Sequence, residues 1–454
     1  MSPVHFLLSW VSIALCSLAA SAQGPVARPN LLVIVADDVG VDVVGAYGEH
    51  PVPARTPNLD RLAANGVLFR NLWVNPKCSP TRTTILSGRY AYRTGIGDVT
   101  SFATSPGPGV EFGVDPAQLD LPARLKTVGY SSAAVGKWHL ATNEGAAEQG
   151  YRHAALAGFD VHVGPIENAG YFLWSHNVAT RTYDAQSVVS GYSTSRTVDD
   201  ALSVVERSGD APWFLWVAFN AAHSPFHRPP DDLLSDATVQ SLPAVPAPAE
   251  LYRAMVEAMD TEIGRLLSSL SPLELARTLV VIVGDNGTPN ATTTPPSTLP
   301  AKGSLREGGV RAPLIIVGHG IAAPGREVHA LVNGIDLHAT LLELAGVRPA
   351  PDSDARSLVP YLVDPGAAPR RQHVYSELFK PNGFGPYSTH ARTARSARYK
   401  LVRNELTGVS LFFDLRADPD EQDNLLGAGA SPLTAGQQAA YDALASVLAE
   451  NALN

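Results

Sequence analysis

The chain reads as an α/β protein, and three observations say so. Short runs that are apolar at every position recur as far as residue 317, as in strands covered on both faces. Segments of helical period lie between them. Each run stops at a cluster of polar residues, the pattern of an open sheet whose strand ends face a ligand crevice.

The first run is Asn30–Ala36, β-branched and apolar, and Asp37-Asp38 follow it directly. Two adjacent carboxylates at the end of a buried strand are costly unless solvated or bound to a cation. Thr56 to Ala63 has the marks of a capped helix, with Pro57 in the first turn and Gly66 as the stop. Val67 to Val74 is a further strand candidate. It leads into Lys77-Cys78-Ser79-Pro80-Thr81-Arg82-Thr83-Thr84-Ile85-Leu86-Ser87-Gly88-Arg89-Tyr90, a loop entering a helix. Pro80 suits a first turn, and Gly88 ends the helix. Cys78 then sits at the helix N-terminus, where free N–H groups favour negative charge, and Arg82 lies one turn on.

Leu119 to Val128 is expected to be a helix and Tyr130 to Val135 a strand, ending in Gly136-Lys137-Trp138-His139. In extended chain Lys137 and His139 point to one side. Residues 141–196 show weak periodicity and read as irregular structure decorating a site; His176 and His227 read first as surface or structural histidines, with substrate contact the alternative. Arg93 and Tyr92 are candidates for a sugar pocket. Ser195 to Ser208 is helical in pattern. Trp213 to Phe219 is an apolar strand ending in Asn220-Ala221-Ala222-His223-Ser224-Pro225. Tyr252 to Leu267 is an amphipathic helix, and Leu279 to Val283 a buried strand followed by Gly284-Asp285-Asn286-Gly287. Lys302 comes after a Thr/Pro loop, then a strand at Leu314 to Val317 and a helix at Asp336 to Leu344. Val347 to Arg371 is rich in Pro, Asp and Ala and reads as a junction. Beyond it lie short antiparallel strand candidates at 373–377, 397–402 and 409–414, and a last helix near 436–449.

Charge and cysteine usage narrow the function. With 34 Lys and Arg against 43 Asp and Glu, the net charge of −9 and the lack of a basic run exclude nucleic-acid binding. Phe6 to Ala20 is apolar and precedes Ala20-Ser21-Ala22, a cleavage pattern, so residues 1–22 read as a signal peptide of an exported, periplasmic or extracellular protein. The run is short for a membrane span and no other span is expected. Removing it leaves Cys78 as the sole cysteine, unable to form an internal disulfide. Asp37, Asp38, Asp285 and Asn286 supply oxygen ligands suited to Ca²⁺ or Mg²⁺. Arg82, Lys137, His139, His223 and Lys302 would surround an oxyacid ester.

The order Cys78-Ser79-Pro80-Thr81-Arg82 followed by Leu86-Ser87-Gly88-Arg89 resembles the sulfatase signature. The resemblance extends to Asp37-Asp38, Thr56-Pro57-Asn58-Leu59-Asp60, Gly136-Lys137-Trp138-His139-Leu140, His223-Ser224-Pro225, Asp285-Asn286-Gly287 and Lys302…Glu307-Gly308-Gly309-Val310-Arg311. It is similar overall to arylsulfatase B-type enzymes. The family implies an alkaline-phosphatase-like, doubly wound mixed sheet flanked by helices, with a smaller C-terminal antiparallel sheet plus helix. On that likeness 23–365 would be the catalytic domain and 366–454 the C-terminal subdomain. It implies oxidation of Cys78 to formylglycine by a formylglycine-generating maturation enzyme, the hydrated aldehyde being the nucleophile. Asp37, Asp38, Cys78, Asp285 and Asn286 would hold Ca²⁺, with Mg²⁺ the other option. Arg82 would hold the hydrated aldehyde, and Lys137 and Lys302 would neutralise sulfate oxygens. His223 with Lys302 would protonate the leaving alcohol, and His139 would deprotonate the remaining hydroxyl so that the aldehyde is regenerated. The expected substrate is a sulfate monoester of a small molecule or saccharide. A phosphodiesterase or phosphonate monoester hydrolase of the same superfamily is the alternative.

Overall fold

The computed structural model describes residues 28–100, 113–141, 147–293 and 301–451. The signal-peptide stretch lies outside the described residues. Ten strands form one mixed sheet: β1 (Asn30–Ala36), β2 (Gly66–Trp73), β3 (Ser131–Gly136), β4 (Val161–Gly164), β5 (Leu173–Ala179), β6 (Asp184–Ser190), β7 (Trp213–Ala218), β8 (Thr278–Gly284), β9 (Leu314–Gly318) and β10 (Arg326–Asn333). Their spatial order is β10-β2-β9-β8-β1-β7-β3-β4-β5-β6. A second, antiparallel sheet holds β11 (Val374–Lys380), β12 (Thr389–Arg395), β13 (Tyr399–Asn404) and β14 (Ser410–Asp414) in sequence order.

The all-apolar strands are central because both their faces are covered. In β1, Leu31, Val33 and Val35 enter one core while Leu32, Ile34 and Ala36 enter the other, the period of two that strand geometry imposes. The first core is closed by the helices Cys78–Ser87, Leu121–Lys126 and Asp336–Leu344, through Ile85, Leu86, Leu125 and Leu341. The second is closed by Pro57–Ala64, Ser193–Arg207 and Pro248–Ser269, through Leu59, Val198, Met255 and Ile263. Each fully buried Leu, Ile or Val contributes about 1.5–3 kcal/mol relative to exposure. The doubly wound core and the small antiparallel sheet are therefore both present, the latter packed against the helix Ala435–Glu450 through Phe412, Leu401, Leu444 and Leu448. That helix starts with a reciprocal cap: Gln437 N–H donates to Thr434 Oγ1 (3.3 Å) and Thr434 N–H to Gln437 Oε1 (2.9 Å).

Register places the site. β1 runs parallel to β8 with Ala36 opposite Gly284, and β3 runs parallel to β7 with Gly136 opposite Ala218. The residues that follow, Asp37, Asp285, Lys137 and Phe219, thus leave the sheet along one edge. β2 is antiparallel to β9, which is antiparallel to β8, so β2 also delivers its C-terminal end, and then Cys78, to that edge.

The stretch 141–196 departs from the sequence reading. It is not irregular: it contains the helix Ala147–Leu156 and the strands β4, β5 and β6. Those strands form the end of the sheet, where one or both faces meet solvent, so no continuous apolar run marks them. β10 is a further strand without such a run, because as the opposite edge it carries Arg326, Glu327 and His329. Among the described residues no helix is long and apolar enough to cross a membrane.

Candidate active site

Cys78 opens a helix whose ten residues are all buried, and its own side chain has no solvent exposure. Around it the strand ends assemble a compact group. One ligand atom from each of Asp37, Asp38, Cys78 and Asp285 lies within 4.8 Å of the others. The thiol of Cys78 donates to Asp37 Oδ1 at 3.3 Å and lies 3.9 Å from Asp38 Oδ1. Asp38 holds φ at +62°, a left-handed turn that aims its carboxylate back toward its neighbour. Its N–H donates to Asp285 Oδ1 (3.2 Å), and its carbonyl accepts from Tyr252 Oη (2.7 Å).

Cations ring the same point. Lys137 Nζ pairs with Asp37 and lies 3.9 Å from Cys78 Sγ; Lys302 Nζ pairs with Asp38 and lies 3.5 Å from Sγ. Arg82 bonds Asp285 Oδ2 through Nε (2.9 Å) and the carbonyl of Lys137 through Nη1 (2.6 Å). His223 Nε2 lies 3.9 Å from Asp38 Oδ2, and its Nδ1 faces the Ser224 carbonyl at 2.7 Å. His139, also at positive φ (+58°), is buried, its carbonyl anchored by Ser79 Oγ (2.8 Å) and Thr100 Oγ1 (2.9 Å). The site residues named from the sequence are thus brought to one sheet edge.

Burial and charge set their protonation in opposite ways. Burial alone would raise Asp37, but Lys137, His223, Arg82 and Lys302 outweigh it and hold the carboxyl well below its usual range. Asp285 is pushed up to about 6, by burial first and by the Asp37 charge second, against the pull of Arg82 and Lys137. Burial, then the charge of Asp37, push the Cys78 thiol far up, so it is not a thiolate at neutral pH. Burial, with Lys137 and Arg82 beside it, keeps His139 unprotonated. Burial opposes the Lys302 charge, yet Cys78, Asp38 and Asp37 lift it above the ordinary lysine range.

The donor set fits a hard divalent cation. Three carboxylates converge on one point, and Asn286 Oδ1 is buried with no partner among the described residues. The Nδ2 of that same amide donates to Asp38 Oδ1 (2.8 Å) and to the Gly287 carbonyl (3.0 Å), which places the amide beside the carboxylate group. His139 Nδ1 is likewise buried and unpartnered.

His176, Arg93 and Tyr92 each have structural partners. His176 does not join His227: its Nε2 lies 2.8 Å from Asp200 Oδ2, under the helix Ser193–Arg207. Arg93 is paired with Asp354 (2.7 Å) and Asp352 (3.4 Å), and Tyr92 stacks on Tyr90 at 6.3 Å. Each also has a partner distant in sequence, Tyr92 through its N–H to Glu377 Oε1 (2.7 Å), which single-residue reading does not reveal. Conversely, nothing in the sequence marks Tyr252, Ser79 or Thr100 for positioning Asp38 and His139.

Comparison with known proteins agrees with the geometry. The Sulfatase family model matches residues 29–347, and a model described as "N-sulphoglucosamine sulphohydrolase, C-terminal" matches residues 301–437. N-acetylgalactosamine-6-sulfatase of Canis lupus familiaris is 32% identical over 93% of this chain and 86% of its own length. Arylsulfatase A of Homo sapiens is 30% identical over 91% of this chain and 87% of its own. Among solved structures, BT4656 in complex with its substrate D-glucosamine-2-N,6-O-disulfate superposes with a TM-score of 0.72 at 21% identity, covering 93% of this chain and 97% of that one. Ps i-CgsB in complex with k-i-k-neocarrahexaose gives a TM-score of 0.75 at 21% identity, covering 93% and 92%. A metal-binding pattern at the strand ends, a lone cysteine at a helix start and this breadth of likeness converge: the chain belongs to the sulfatase family, hydrolases of sulfuric esters.

Proposed function

We propose that the protein removes sulfate from a sugar monoester, using Cys78 matured to formylglycine and a bound Ca²⁺. The observation that carries this is the convergence of Asp37, Asp38 and Asp285 on a cysteine flanked by two lysine ammonium groups, with the Asn286 amide beside Asp38. Bound there, the cation would polarise a sulfate oxygen while the hydrated aldehyde supplied the attacking oxygen. The protonated, buried thiol supports the need for that conversion, since a thiol is a poor nucleophile. All-oxygen donors favour Ca²⁺ or Mg²⁺ over softer ions.

The protein's own groups take the remaining tasks. Lys137 and Lys302 stand on either side of position 78 and neutralise charge on the transferring group. Arg82, fixed by Asp285 and the Lys137 carbonyl, holds residue 78 in place. His223 and Lys302 both border Asp38 and give a proton to the leaving oxygen. His139, kept unprotonated with Nδ1 free, takes a proton back from residue 78.

The sugar sulfatases among the relatives and structural neighbours, and the arylsulfatase B-type character of the motifs, support a saccharide substrate. The cleavage pattern at 20–22 supports export, and the maturation enzyme is the partner this chemistry requires. Turnover of 4-nitrophenyl sulfate against bis(4-nitrophenyl) phosphate tests the reaction class. Sulfate release should exceed diester cleavage by orders of magnitude; the reverse ranking would make the chain a phosphodiesterase. Mass spectrometry of the Cys78 peptide should find the aldehyde, and an intact thiol in active protein would reject the nucleophile.

A further inference from the structure

Four aromatic rings gather behind His223. Tyr171 is buried, and its Oη reaches the carbonyl oxygens of Asn220 (2.7 Å) and of His223 itself (2.6 Å). The His227 ring lies on Tyr171 with centroids 4.0 Å apart. Both its nitrogens are engaged, Nδ1 with the Pro225 carbonyl (3.0 Å) and Nε2 with Tyr192 Oη (3.2 Å), so the ring cannot turn without losing a bond. Tyr192 is buried, its ring 6.2 Å from Tyr171. Phe172 packs on both, 5.5 Å from Tyr192 and edge-on to His227 at 5.3 Å and 80°. It alone of the four stands largely in solvent, 48% exposed.

A single exposed apolar side chain needs no explanation on most surfaces. This one differs in its support. Two rings fix it, and the ring beneath both of them, Tyr171, is hydrogen-bonded to the backbone of the residue that serves the leaving oxygen. We infer that Phe172 is the platform on which the sugar ring carrying the sulfate ester lies, and that His227 and Tyr192 hold the platform in position. The inference rests on the ester-hydrolase reading above. A pyranose offers an apolar C–H face that suits an aromatic plane, and the plane carries no donor or acceptor. Phe172 therefore selects for a ring, and leaves the pattern of hydroxyls to other groups.

Binding tests this without turnover. The Cys78→Ala protein, with and without Phe172→Ala or Phe172→Tyr, is titrated calorimetrically with a panel of monosulfated hexosamines and galactoses. Phe172→Ala should raise Kd about tenfold, as loss of one stacked ring contact does. Phe172→Tyr should restore it to within about twofold, and all three proteins should unfold at the same urea concentration. An unchanged Kd in Phe172→Ala, no recovery in Phe172→Tyr, or no binding by any sugar of the panel overturns the platform. Failure of the wild-type chain to release sulfate from 4-nitrophenyl sulfate would sink the ester-hydrolase reading separately, because sugar affinity is measured without it.

Discussion

Two buried charge clusters sit in this molecule, and they are built to different ends. At the strand edge, Asp37, Asp38 and Asp285 meet Arg82, Lys137 and Lys302, yet Asp285 is still pushed up to about 6 by burial and by Asp37. At the junction with the small sheet, Glu307 is gripped by Arg395 (2.6 Å) and Lys400 (3.0 Å), and Lys400 also reaches Glu421 (2.9 Å). Glu421 Oε2 in turn accepts the Glu307 N–H (2.7 Å), and Lys400 lies over the Trp73 ring at 4.7 Å. Burial alone would raise Glu307, but Arg395, Lys400 and Arg311 hold it down at about 2. The second cluster is complete and clamps two sheets together. The first gathers three carboxylates within 4.8 Å of one cysteine, with cations on its rim, and leaves one of those carboxyls, Asp285, raised rather than lowered.

The contrast can be broken experimentally. Replacing Cys78 by Ala should cut 4-nitrophenyl sulfate turnover by about 10⁴-fold or more with the circular dichroism spectrum retained; substantial residual activity would refute its role. Lys302→Met should lower kcat by about 10²–10³-fold, the usual effect of losing one preorganised charge. A loss below about tenfold would place that ammonium outside the reaction. In the clamp, Lys400→Met should cost about 3–5 kcal/mol in urea unfolding, because it strands buried carboxylates, while kcat per folded molecule stays at the wild-type value. A fall in kcat matching that of Lys302→Met would erase the distinction between the clusters.

Smaller effects sharpen it. Ca²⁺ at a hundred times its Kd should stabilise the chelator-treated protein by about 2.7 kcal/mol, and Asp37→Asn should abolish that gain whereas Lys400→Met should not. No shift in the unfolding curve of the wild type would mean that the carboxylates hold no calcium. The least effect is confined to acid. Glu307 is lowered in the folded state, so its contribution is whole above the unfolded value of about 4.3 and is lost as pH falls toward about 2. Glu307→Gln should therefore flatten stability against pH in that window, and an unaltered slope would show that the clamp is not titrating there.

The difference between the clusters also explains what could be read from the chain alone. Asp37, Asp285 and Lys137 were legible because each follows a run buried on both faces, and Cys78 because its helix start has recognisable punctuation. Glu307 and Lys400 stand in recognisable motifs, but nothing local shows that residues 93 apart in sequence will pair. β6 was hidden for another reason. It is an edge strand whose Val188 is 71% exposed, so burial imposes no pattern on it. Tyr171, Phe172 and Tyr192 carry no signal of their own, because aromatic residues in such a segment look like ordinary packing until the fold sets His227 among them.

The closed environment of residue 78 also imposes an order in time. A side chain that solvent cannot touch is out of reach of a second protein as well, and the helix that bears it is walled in along its whole length. On the proposed maturation, the converting enzyme is expected to meet Cys78 before its helix is packed. The mature enzyme would then carry a record of its biosynthesis: a molecule that folds before that encounter would keep its thiol.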